Sequence, residues 1–168
     1  MAIKSFSPKG MPVKDVHRNL LGAVAPRPIA LASTISDDGI PNLSPFSFFN
    51  AFGANPPIVI FSPARRGRDN TTKDTYNNIK NNGEAVIAIV SEQIKHQMVL
   101  SSTEYHSGTN EFEKAGFTPL PSEEVRPYLV KESPVNLEVR LRDLINYGEV
   151  NGGGNIAICE VVRFHIDE

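Results

Sequence analysis

A disulfide needs two cysteines, and this 168-residue chain has one, Cys159. It lies among apolar neighbours in NIAICEVV, with no cation or helix start nearby to activate it. It reads as a small buried hydrophobe in a protein suited to a reducing compartment. An excess of one charge is missing too. Seventeen Lys and Arg stand against 19 Asp and Glu, so no net field draws the chain toward nucleic acid or an anionic membrane, and any anion site has to be local. No apolar run is long enough to span a bilayer, and the first twenty residues lack the apolar core of a signal peptide. The expectation is a soluble, cytoplasmic protein with neither nucleic-acid nor membrane partners. His17, His96, His106 and His165 are scattered without metal-ligand spacing, so no metal is expected. No G-x-G-x-x-G follows a strand. The glycine triplet of NYGEVNGGGN lacks the lysine and helix of a P-loop and reads as a hairpin tip.

The most informative absence is local. Pro41 to Phe61, PNLSPFSFFNAFGANPPIVIF, contains no charged side chain. Ser44, Ser47 and Asn50 offer hydrogen bonds, and Phe46, Phe48, Phe49 and Phe52 offer apolar area. That mixture suits a flat heterocycle, with area for its face and polar groups for its rim, or a subunit contact, or an ordinary core strand.

Around it the pattern is mostly strand. In PRPIALASTIS, Ile29, Leu31, Ser33 and Ile35 alternate with Ala30, Ala32, Thr34 and Ser36. Asp37 to Gly39 is a hairpin signal, and residues 41–50 form the returning strand. Pro41 and Pro45 cannot donate to a ladder, so that strand has to be an edge or bulged. Further strands are expected at IVIFS, EAVIAIVS, 135–142 and NIAICEVVRFHI. Helices are expected from Thr72 or Asp74 to about Asn81, over 91–102, and in TNEFEKAG with Asn110 and Glu113 at capping-box spacing. The first twenty residues carry little signal, and 117–134 read as irregular. Antiparallel strands with helices inserted mid-chain point to a barrel-like, mainly β domain over residues 1–168 with peripheral helices.

One segment is cationic. Arg65, Arg66, Arg68 and Lys73 face only Asp69 and Asp74, with neutral donors from Asn70 to Thr72 and at Thr75. A helix beginning near Lys73 would add unsatisfied amides and a favourable dipole, which together describe a phosphate site. Combined with the uncharged stretch, this suits a flat heterocycle carrying a phosphate tail. Mononucleotides, flavins and pyridoxal phosphate all qualify, although a pyridoxal Schiff base needs a lysine and none lies between Pro26 and Ser62.

The blocks PRPIALASTISDDGIPNLSPFSFFN, NPPIVIFS, KDTYNNI and NEFEKAGF, in this order, resemble the flavin reductase-like, FMN-binding split-barrel family. That resemblance implies a six-stranded antiparallel split barrel, a homodimer, and FMN at the subunit boundary. It implies NAD(P)H:flavin oxidoreductase activity, with a nicotinamide dinucleotide as substrate and a monooxygenase or other redox protein as partner. An electron carrier without nicotinamide activity, and a flavin-free binding module, are the alternatives. Carried over by position, Ser33 and Thr34 lie near the ring, and Ser44, Phe46, Ser47, Phe48, Phe49 and Asn50 line it. Ser62 and Arg65 border the site, Lys73, Asp74 and Thr75 lie near the phosphate, and Arg27 sits beside the ring. No catalytic side chain is assigned, because the cofactor carries the chemistry. Family members continue past the last strand with an arginine- and glycine-containing tail, whereas this chain stops at FHIDE.

Overall fold

The computed structural model describes residues 3–168. The hairpin around Asp37–Gly39 forms as expected: β1 (Ala30–Ile35) runs antiparallel to β2 (Pro41–Phe46), with Ala30 opposite Phe46 and Ile35 opposite Pro41. Gly39 makes the turn at φ 82°, a conformation that only glycine adopts without steric cost. The returning strand does not run through to residue 50. It stops at Phe46 and resumes as β3 (Phe49–Ala54), which pairs with β4 (Pro57–Phe61). β5 (Glu84–Ile89) follows, then a two-residue pair, β6 (Pro119–Leu120) with β7 (Leu129–Val130), inside the segment expected to be irregular. The long strands β8 (Val135–Asn146) and β9 (Asn155–Ile166) complete the sheet, β8 running four residues past its expected end at 142.

The main sheet has seven strands rather than six, in the order β2-β1-β5-β8-β9-β4-β3, every neighbour antiparallel. The extra strand is the product of the break at Ser47–Phe48. Its consequence is closure. Laid flat, seven strands would hold β2 and β3 about 29 Å apart. Only two residues join them, which allows about 11 Å. The sheet therefore rolls into a barrel whose seam is covalent chain rather than a hydrogen-bonded ladder. Inside it pack Ala30, Ala32, Phe61, Ala85, Ile87, Val139, Ala157 and Cys159, all fully buried. Burial pushes the Cys159 thiol up to about 12.

α1 (Val13–Ala23) was not expected; it buries none of its residues, and Pro12 before it offers no side-chain cap. Arg27 closes it, donating to the carbonyls of Leu21 and Val24. α2 (Asp74–Asn82) plugs the barrel with Ile79 and ends at Gly83 in the left-handed region. Its N-cap is Lys73 rather than Thr72 or Asp74, without a side-chain cap. α3 (Lys95–Ser101) follows one 3-10 turn, Glu92–Ile94. α4 (Glu111–Ala115) is capped as expected: Asn110 accepts from the Phe112 amide and donates to Glu113. α3 and α4 cover the outer face of β1, β2 and β5 through Leu31, Leu43, Ala88, Ile94 and Phe112.

Glu138, on β8, is a fully buried carboxylate. It accepts the amides of Glu123, Glu124 and Val125 at 2.9, 2.6 and 2.9 Å and lies 2.6 Å from His165 Nε2. Burial works to raise its carboxyl, but these partners outweigh it and hold it below the ordinary range. Its contribution to stability is therefore present above the unfolded-state value of about 4.3 and is lost as pH falls through the lower folded value. Glu138→Gln should cost about 3 kcal/mol at neutral pH in a urea titration. It should also make stability less steep in pH below about 5. Equal acid steepness in parent and variant would refute this role.

Candidate functional site

β2 is an edge strand, and its exposed edge has no free donor. Amides alternate in direction along a strand, so those of residues 41, 43 and 45 face away from β1. Two of these residues are prolines. The third amide, of Leu43, donates to Glu111 Oε2 at 3.0 Å. Glu111, in the first turn of α4, is 9% exposed. Burial raises its carboxyl, and the Asp74 charge adds to the effect against the Leu43 bond.

Along this edge lies an open cleft. β2 supplies Asn42 and Ser44. The start of α2 supplies Lys73, Asp74 and Thr75, the loop before it Arg66, and the segment after α3 Ser101 to Tyr105. The cleft gathers four of the expected residues, Ser44, Lys73, Asp74 and Thr75. Lys73 Nζ sits 5.1 Å from the centroid of a fifth, Phe46. It makes no hydrogen bond or ion pair among the described residues. Burial and the Arg66 charge lower its affinity for a proton, partly offset by Glu104. Arg66 pairs with Asp74 at 3.4 Å. The first-turn amides of α2 lie beside this half-buried cation.

Beneath the cleft is a polar cluster. Thr34 Oγ1 accepts from Asn42 Nδ2 at 3.0 Å and from Asn78 Nδ2 at 3.1 Å, and Thr75 Oγ1 accepts from Asn42 at 2.9 Å. Thr34 and Thr75 are thus tied into the wall. Ser33 is fully buried with no hydrogen-bond partner for its hydroxyl.

The remaining expected residues lie elsewhere. Phe48 is more than one-third exposed and touches His17 of α1, ring centroids 5.8 Å apart. Ser47 precedes it in the link between β2 and β3. Phe49 pairs with Phe61, and the exposed Asn50 accepts the amide of Ala51. Ser62 donates its amide to the Phe48 carbonyl. Arg65 is committed to the carbonyl of Asn70, and Arg27 to α1. The glycine loop is docked on the cationic segment: Arg65 N donates to Gly153, Asn151 to Gly67 and Asn70 to Glu149. A side chain at Gly152 would meet Val13 of α1 at 2.8 Å. Sequence reasoning placed Arg66 in the cationic segment and missed the Ser101–Tyr105 wall, Glu111 and Asn42. For Asn42 a signal existed, since it shares a strand face with Ser44 and Phe46 at period two.

The comparisons agree with this architecture. A sequence model of the flavin reductase like domain matches residues 22–168. The chain belongs to the flavin reductase-like family. A structure of nitrilotriacetate monooxygenase component B from Bacillus cereus is 32% identical to this flavin reductase-like chain, with a TM-score of 0.94 over 100% of this chain and 83% of that one. The 2-nitrobenzoate 2-nitroreductase NbaA of Pseudomonas fluorescens is 26% identical, with a TM-score of 0.85 over 97% and 76%. An uncharacterized protein of Aquifex aeolicus is 44% identical over 75% of this chain. The chain spans 64% of that relative's length. Among the described residues no helix is long and apolar enough to cross a membrane, and no group of three or more His, Cys, Asp or Glu could hold a metal ion.

A half-buried lysine that lacks a counter-charge costs stability unless an anion supplies one. Lys73→Met keeps the stem over Phe46 and removes the charge. It should raise the melting temperature of the ligand-free protein by about 2–4 °C. A drop in melting temperature would mean that Lys73 serves the fold.

Proposed function

We propose that this flavin reductase-like chain binds FMN and works as an NAD(P)H-dependent flavin reductase that passes reduced flavin or electrons to a partner protein. The observation that carries the reading is the Lys73 ammonium, without a partner among the described residues, at the start of α2 and beside the uncharged Ser44–Asn50 segment. The residues present fit the group. Lys73 and the first α2 amides suit a phosphate monoester. Ser47 and Phe48, in the β2–β3 link, supply a polar group and apolar area without charge for a flat ring, whereas Phe46 is 6% exposed and packs in the barrel core.

Bound flavin supplies the acceptor for a hydride from a nicotinamide. The chain's own contribution is to bind, to orient and to exclude water. No side chain is required as nucleophile or proton donor, in keeping with a cleft whose carboxylates are held in ion pairs or wall contacts: Asp74 on Arg66, Glu104 on Arg68, Glu111 on Leu43.

A homodimer belongs to this reading. Five of the six β3 residues are exposed, none is charged, and Phe52 is 64% exposed on an unpaired sheet edge. Such an edge pairs with another strand unless something covers it. α1 adds Val13 and Leu20, and Val24 follows at its end, each about half exposed or more. A second copy covering these surfaces would stand beside the Ser47–Phe48 link and complete the ring's surroundings.

The purified protein, loaded with FMN, should show flavin absorbance near equimolar occupancy and oxidise NADH or NADPH steadily when free FMN is added. Lys73→Ala should weaken FMN at least tenfold by fluorescence titration. Colourless protein that takes up no FMN would end the proposal, and flavin reduced only through a protein partner would reassign it as an electron carrier. Phe52→Asp should shift the light-scattering mass from dimer to monomer and lower FMN affinity. A parent that is monomeric with FMN bound would remove the dimer from the reading.

A further inference from the structure

The cleft that holds Lys73 also holds a charge that works against an anion. Three carboxylates line it: Asp74 at the start of α2, Glu104 after α3, and Glu111 in the first turn of α4. Two are compensated. Asp74 Oδ2 lies 3.4 Å from Arg66 and its Oδ1 accepts from Ser107 at 3.0 Å, while Glu104 pairs with Arg68 at 2.8 Å. Glu111 has no cation at ion-pair distance among the described residues. Its Oε2 accepts the Leu43 amide, and its Oε1 takes no hydrogen bond from another described residue. It is the one buried carboxylate of the three. The surrounding elements do not neutralise it. Glu113 and Lys114 on α4, Lys95 and His96 on α3, and His106 beyond it are all exposed. β2 offers an amide and no charge. Arg66 is committed to Asp74 and the Thr72 carbonyl, and Lys73 lies over Phe46. The charge that acts on Glu111 is that of Asp74, which has the same sign.

An ionised Glu111 would stand beside Asp74 in a wall that a phosphate must approach. A buried carboxylate without a cation, facing further negative charge, is relieved by a proton. Protonation also changes what it can do. Oε2 stays on the Leu43 amide, and Oε1 carries a hydrogen that a phosphate oxygen can accept. We propose that Glu111 is the proton-carrying member of this cleft, donating from Oε1 to a phosphate oxygen, so that the anion enters together with one proton from solvent. The carboxylate gains the proton and becomes a neutral acid; the phosphate keeps its charge. Burial and the Asp74 charge already favour the neutral form in the free protein. The proton takes no part in the hydride step. The inference rests on the phosphate reading of the Lys73 cleft and deepens it with a pH dependence. Below the pH at which free Glu111 ionises, the acid is already in place. Above it, binding has to restore the proton, which lowers affinity by about tenfold per pH unit.

Two measurements on the whole chain test it, with FMN as the probe. Calorimetry in buffers of different ionisation heat counts the protons bound per FMN, and fluorescence titration gives the affinity at pH 6 and pH 8. The parent should take up roughly half a proton or more per FMN at pH 8. Glu111→Gln keeps an acceptor for the Leu43 amide and cannot ionise. It should take up at least about 0.3 proton fewer than the parent, and its affinity relative to the parent should rise at least fivefold from pH 6 to pH 8. Lys73 and the second ionisation of the phosphate, near pH 6, are common to both proteins and drop out of the comparison. If Glu111→Gln fails to fold, as read by its melting curve, Glu111→Ser carries the same comparison. Equal proton uptake in parent and variant, or an affinity ratio that stays constant with pH, overturns the role of Glu111 and leaves the FMN reading standing. A parent that binds no FMN at either pH overturns both.

Discussion

Two residues hold this architecture in its shape. Ser47 and Phe48 join the first and last strands of a seven-stranded sheet, and the sheet has no choice but to roll until those strands meet. Everything that matters for ligand binding follows from that closure. It leaves a seam without a ladder, so β2 and β3 both remain edges within one barrel. It places an uncharged, aromatic link at the seam. It also lets α2 enter beside β2 and bring Lys73 to the same edge. A longer connection would relax the curl and separate the aromatic link from the cation.

The two edges are managed in opposite ways. On β2, prolines at 41 and 45 remove two outward amides, and the buried Glu111 takes the third. That edge is silenced toward other strands and can be devoted to a cleft. On β3 nothing comparable is done: the edge is uncharged and open, with Phe52 on its surface. The contrast assigns the two sides of the seam different tasks, one toward a small molecule and one toward a protein surface.

Much of this was readable from residue order, and the exceptions have physical causes. Period-two alternation marked strands in 30–36 and 135–142, although β1 is buried on both faces, one in the barrel and one under α3 and α4, and Gly39 marked the first hairpin because the backbone there is left-handed. The proline argument located the edge. The break at Ser47–Phe48 could not be read, because no proline or glycine stands there between the two strands and only the rolled sheet forces an interruption. α1 escaped because it buries nothing and lacks a side-chain cap, the two signals by which a helix announces itself. Of the candidate site, the Lys73–Thr75 block and Ser44 were found through local charge and resemblance. Glu111 and the 101–105 wall were not, since they join the site only through tertiary packing. Arg65 is the instructive counterpart: equally cationic in sequence, it is engaged by the Asn70 carbonyl in the fold.

The barrel's filling has a practical corollary. Cys159 lies at the centre, without measurable exposure and with its proton held until about pH 12. The native chain therefore behaves toward alkylating reagents as though it were free of thiols. A cysteine engineered onto β3 or α1 would react alone, which makes the untouched chain a ready background for spin labels, dyes and cross-linkers. Slow modification of the native thiol would in turn clock the opening of the barrel itself.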